Sequence, residues 1–220
     1  MISIIYYYGY SRPQSYIYFS RHIAMEHGDL EWAGYCSYFY CDATFFSGEA
    51  LELVVQTQEK YLNALLARQQ TFQAVYLNLW KRLAEKLHRT STEAVYSFGS
   101  QKQTDEEAFE SLLSGGNKML LFAYYLSNGM LAFYRAEYKE AKALLRKADE
   151  NTSAVVGMMT NAQHNFYLSL ALICSGLEKK LEPDSEKLAK LVKRVKDNQK
   201  TLHKYARHGP SNWLHKVSVL

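Results

Sequence analysis

Helix breakers, cysteines and long apolar runs are all scarce in this 220-residue chain, and each scarcity closes off a class of protein. Only three prolines interrupt the chain, so most of it is free to be helical. Cys36, Cys41 and Cys174 are an odd number at spacings that make no disulfide framework. Cys36 and Cys41 stand five apart on one expected helix, off a shared face, and all three read as reduced packing residues of a cytosolic protein. No apolar run reaches the ~18 residues that a membrane span needs. The opening Met1-Ile2-Ser3-Ile4-Ile5-Tyr6-Tyr7-Tyr8 lacks the basic start and small-residue cleavage site of a signal peptide. It reads as the tail of a helix whose earlier part is missing. Segments of strand period are absent too, and the expected location is cytoplasmic.

Catalytic motifs are missing as well. Gly115-Gly116-Asn117-Lys118 has a lysine but neither the loop length nor the following hydroxyl of a phosphate loop. There is no kinase H-R-D or D-F-G and no G-x-S-x-G nucleophile elbow. Glu85-x-x-His88 is half of a di-iron signature without its second copy, so it reads as a solvated helix end. His203, His208 and His215 straddle a Gly-Pro break at spacings too wide for zinc. No catalytic, cofactor or metal residue is therefore assigned, and the chain is not expected to be an enzyme.

What is present is helical periodicity. From Asn117 the run Met119–Tyr134 is apolar almost all round, as in a helix packed on several sides. After a break at Arg135-Ala136-Glu137, Tyr138, Ala141, Leu145 and Ala148 recur at three- and four-residue steps among charges, the pattern of an amphipathic partner helix. Gly129, Ala141 and Ala148 are small where a tetratricopeptide-type hairpin brings its helices close.

Earlier helices are expected from Pro13 to His27-Gly28, from the Asp29 cap to Phe46, from Ser47 and Glu49 through Leu66, and from about Gln69 to Leu87. Residues 89–103 lose periodicity and read as an irregular loop or lid. Thr104 and Glu107 form a capping-box pair for a short helix. Later helices run from Asn151 to Cys174, closed by Gly176, and from Pro183 to Gly209-Pro210, with one more starting at Ser211. The fold expected is all-α: about nine helices in antiparallel hairpins, stacked as a tetratricopeptide-like α-α superhelix in a single domain over 1–220.

The net charge of +4 is unevenly spread, since residues 178–207 alone carry ten basic and five acidic side chains. That helix has no aromatics among its lysines, so a solvated outer face is favoured over a nucleic-acid surface at Lys190, Lys193 and Lys196. Tyr35, Tyr38, Phe39, Tyr124 and Tyr125 form the aromatic stripe to inspect for partner binding, although core packing is the favoured role.

Several stretches resemble a known family. They are Leu30-Glu31-Trp32-Ala33 after Gly28-Asp29, Tyr40-Cys41, Phe46-Ser47-Gly48-Glu49, Asn117 to Phe122, Ala136-Glu137-Tyr138 and Phe166-Tyr167-x-Ser169-Leu170-Ala171. The C-terminal Asn198-Gln199-Lys200 and Ala206-Arg207-His208-Gly209-Pro210-Ser211-Asn212-x-Leu214-His215-Lys216 are the most specific. Together they resemble the tetratricopeptide-like region of large bacterial, cyanobacterial-type signalling kinases. Those proteins join a serine/threonine-kinase-like domain, an AAA/STAND-type ATPase, a GAF sensor and a histidine kinase. The resemblance covers nearly all of the chain and implies the helical region alone, with nucleotide-binding and phosphotransfer motifs lying elsewhere. It implies a non-catalytic interaction or signal-relay module for a protein or peptide partner, such as a signalling kinase or ATPase domain. A diverged ATPase or kinase fragment and a nucleic-acid binder are the alternatives.

Overall fold

The computed structural model describes residues 11–88, 95–98, 101–179, 182 and 185–220. The expected helix tail at Met1–Tyr8 and the Pro183 helix start lie outside those residues. Ten α-helices and one 3-10 turn are present among them: α1 Ser11–Glu26, α2 Leu30–Phe46, α3 Leu51–Leu66, α4 Thr71–His88, α5 Asp105–Gly115, α6 Lys118–Tyr134, α7 Tyr138–Asp149, the 3-10 turn Thr152–Val155, α8 Met159–Glu178, α9 Glu186–His208 and α10 Pro210–Val219. The fold is all-α. No helix among the described residues is long and apolar enough to cross a membrane.

The chain forms two compact units, one running to Leu120 and the other from Leu121 to Leu220. In the first, α1 packs on α2 and α3 on α4, while α2 also touches α3 and α4. Gly34 lies against Gln73, Tyr38 against Tyr76 and Phe46 against Trp80, so α2 and α4 run in the same direction. In the second, α8 packs on α7 and α9, and α10 on α9. Phe122 meets His164 and Phe133 meets Tyr167, which gives α6 and α8 a common direction.

Local chemistry explains the boundaries. Asp29 caps α2 by accepting from the Trp32 amide at 2.9 Å. Arg135-Ala136-Glu137 separates α6 from α7, with Ala136 at φ 59°. Gly129 is small because a Cβ there would stand 2.7 Å from Leu145 Cγ, and Ala141 and Ala148 are fully buried on the facing helix.

Other boundaries differ from the sequence reading. Ser47 ends α2 rather than opening α3: its amide donates to the Ala43 carbonyl, and Gly48 follows at φ 83°. Gly176 does not close α8, which continues to Glu178, because one glycine costs a helix only about 1 kcal/mol. Ser185 caps α9, accepting from the Leu188 amide at 3.2 Å. Within the expected irregular connection, Val95–Phe98 pairs antiparallel with Gln101–Thr104. Val95, Tyr96 and Phe98 favour strands, but four residues are too few for alternation to register.

Candidate functional site

The residues flagged in sequence do not assemble into a reaction centre. Glu85 pairs with Lys81 one turn earlier, and His88 is half-buried in the last turn of α4. His203, His208 and His215 are exposed, and no group of metal-ligating side chains forms among the described residues. Gly115-Gly116-Asn117-Lys118 is a helix start: Gly116 turns the chain at φ 60°, and Asn117 Oδ1 accepts from the amides of Met119 and Leu120 at 3.0 and 3.2 Å. On α9, Lys190 pairs with Glu186 and Lys200 with Asp197, while Lys193 and Lys196 are exposed. Val195, Asn198, Leu202 and Ala206 form its buried face.

The aromatic stripe is divided between the two units, with Tyr38 and Tyr125 buried and Tyr35, Phe39 and Tyr124 half-buried. Tyr38 is buried, its ring centroid 4.5 Å from both Phe39 and Tyr76. Tyr35 packs edge-on to Tyr38 at 5.8 Å, and Tyr125 is buried beside Tyr124 at 5.6 Å. The exposed aromatic side chains instead include Tyr16 and Phe19, which with exposed Ile23 follow one face of α1 at helical spacing.

Two buried polar centres went unread in the sequence. In the first unit Tyr76 donates to Asp42 Oδ2 at 3.2 Å, while Asp42 Oδ1 has no partner among the described residues. Burial pushes the Asp42 carboxyl well above its ordinary range, opposed by the Tyr76 hydrogen bond. Burial, followed by the Asp42 charge, raises Tyr76 in turn. Both residues are only 1% exposed, so the pair has no access to a substrate and acts within the core. Its signal was available: Asp42 is the one ionisable carboxyl in the apolar run Tyr38–Phe46. On α3 of the same unit, Gln58 is completely buried with both amide atoms unpaired among the described residues.

In the second unit a hydrogen-bonded chain joins three helices. Arg194 on α9 donates to Asp149 on α7 at 2.6 Å and to Asn198 Oδ1 at 3.0 Å. Asn198 Nδ2 donates to Ser169 Oγ on α8 at 2.9 Å, and Ser169 donates to the Asn165 carbonyl at 2.8 Å. Beside it, His164 Nε2 lies 2.8 Å from the Leu145 carbonyl, which assigns the ring proton to that nitrogen in the neutral form. Burial lowers the His164 pKa and favours that neutral ring. These groups lock α7, α8 and α9 together; none is arranged as a nucleophile with its base.

The chain matches no family model, no curated protein and no solved structure.

Proposed function

We propose that the chain is a non-catalytic helical-repeat module of tetratricopeptide-like type that docks a protein or peptide partner and relays a signal within a cytoplasmic kinase or ATPase assembly. One observation carries this reading: alternate helices touch at nearly the spacing of a 34-residue repeat. Asp42 bonds Tyr76 across 34 residues in the first unit, and Tyr134 bonds Tyr167 across 33 in the second. A helix-turn-helix unit of that length, repeated, brings corresponding helices side by side and leaves an extended surface for a partner. The exposed Tyr16, Phe19 and Ile23 supply apolar contact area of the kind such surfaces use. The signalling context comes from the sequence resemblance.

The test uses the purified full chain with a serine/threonine-kinase-like domain and an AAA/STAND-type ATPase domain taken from the signalling kinases it resembles. Titration calorimetry should give saturable one-to-one binding to one of them, with no ATP hydrolysis or phosphoryl transfer by the chain alone. Turnover of ATP by the isolated chain, or no binding to any of these polypeptides, overturns the reading.

A further inference from the structure

A cavity of ≈ 270 Å³ opens among α7, α8 and α9 in the second unit, and its lining carries charge of one sign only. Lys142 and Arg146 enter from α7, Lys179 from the end of α8, and Lys187, Lys190 and Arg194 from α9. The spacing explains the convergence. Residues 142 and 146 are one turn apart, and 187, 190 and 194 follow a single face of α9. Leu172, Gly176 and Leu191 complete the wall between them.

Two of these cations are already neutralised, Arg194 by Asp149 and Lys190 by Glu186. Lys142, Arg146, Lys179 and Lys187 pair with no carboxylate among the described residues. Lys142 is held in place by its bond to Ser175 Oγ at 2.8 Å, and Ser175 is 1% exposed. Burial and then the charges of Lys179, Arg146 and Lys139 lower the Lys142 pKa, with Glu178 acting in the opposite direction, so repulsion among the cations outweighs the one nearby carboxylate.

We propose that this cavity is a binding site for a phosphoryl anion, gripped by Lys142, Arg146, Lys179 and Lys187. A phosphate group brings about two negative charges and three strong acceptor oxygens, matching several ammonium donors and one planar guanidinium. A carboxylate brings one charge and would leave most of the cluster uncompensated. The cavity falls just below the roughly 300–1,000 Å³ typical of sites for whole drug-sized ligands, which suits a head group rather than a complete nucleotide. The proposal does not depend on the chain being an interaction module, since a free anion and a phosphorylated side chain present the same chemistry.

The test is calorimetric titration of the full chain at fixed ionic strength with pyrophosphate, inorganic phosphate and a phosphoserine peptide beside its unphosphorylated form. Saturable binding of pyrophosphate or phosphate assigns a free anion; saturation by the phosphopeptide alone assigns a modified side chain. The variant Arg146→Glu/Lys187→Glu should weaken binding at least about tenfold. Lys193→Glu/Lys196→Glu, an equal charge change on the exposed side of α9, should leave it unaltered. On the native chain, amide NMR shifts under pyrophosphate should centre on Arg146, Ser175 and Gly176. No saturation by any phosphorylated probe, equal loss in both variants, or shifts spread along all of α9 overturns the proposal.

Discussion

Tyr76 Oη donates to Asp42 Oδ2 at 3.2 Å, joining α4 to α2 in a site where both side chains are almost completely buried. One hydrogen bond is a small return for a desolvated carboxylate with its second oxygen unpaired. The group responds by holding its proton to higher pH than an unfolded aspartate.

The folded pKa of Asp42 is raised above 3.8, so between these values the folded chain binds more protons than the unfolded one. Its contribution is fully present below pH 3.8 and is lost as pH rises through the folded pKa, at up to about 1.4 kcal/mol per pH unit. Asp42→Asn keeps an acceptor for Tyr76 and cannot ionise. Urea unfolding should show the variant close to the native chain near pH 4 and more stable at pH 8. Parallel pH profiles for the two proteins would contradict an ionisable penalty at this site.

Gly129 tests the close approach of α6 and α7. A methyl there would meet Leu145 Cγ at 2.7 Å and Cδ2 at 2.9 Å, with the Leu145 backbone nitrogen at 3.4 Å, and Leu145 is fully buried. Overpacking of this kind costs about 1–3 kcal/mol, more than the ~1 kcal/mol that alanine gains in helix propensity. Gly129→Ala should therefore lower stability in denaturant unfolding. Combined with Leu145→Ala, which makes the missing space, its cost should shrink or reverse. Additive losses in the double variant would mean that the two residues do not meet.

The same hairpin shows what was readable in advance. Its interhelix break and the Asp29 cap are local signals, because each depends on neighbours within about one helical turn, while its small residues are legible only through the spacing of a hairpin repeat. Ser47 fits a helix start because its hydroxyl suits an N-cap, and only the positive φ of Gly48 decides that α2 stops there instead. The partner of Asp42 and the lysine cavity require tertiary information. A lone aspartate in an apolar helix does not reveal that Tyr76 will cover it. Lys142, Lys179 and Lys187 each look like ordinary solvated lysines until α7, α8 and α9 bring them to one cavity.

The three cysteines should differ in reactivity by burial alone. Cys41 is completely buried and its thiol is raised well above 9.0; burial lifts Cys36 to about 11. Cys174 is partly exposed and less strongly perturbed. Because the thiolate is the reacting form, a maleimide at pH 8 should label Cys174 first. Cys36 and Cys41 should react only at the rate of unfolding, as read by peptide mass spectrometry. Labelling of Cys41 together with Cys174 in the folded chain would show that the α2 core is open.

Lys216 carries the clearest pH signature in the second unit. Its ammonium lies 4.6 Å from the Phe166 ring centroid and 6.0 Å from Tyr167, and no carboxylate among the described residues pairs with it. Burial lowers its pKa from 10.5 to about 8. Below pH 8 the lysine is charged whether folded or not, and the folded chain bears the full desolvation cost. Between about 8 and 10.5 only the unfolded chain retains the proton, so stability rises with pH through this window. The gap corresponds to roughly 3 kcal/mol, from which the lost cation–π attraction of about 0.5–2 kcal/mol must be subtracted for a neutral replacement. Lys216→Met, which keeps the apolar stem, should thus stabilise the chain by about 1–3 kcal/mol at pH 7. Chemical unfolding at pH 7 and pH 10.5 should show this advantage fading at the higher value. A variant less stable than the native chain at pH 7 would mean that the aromatic faces more than compensate the buried charge.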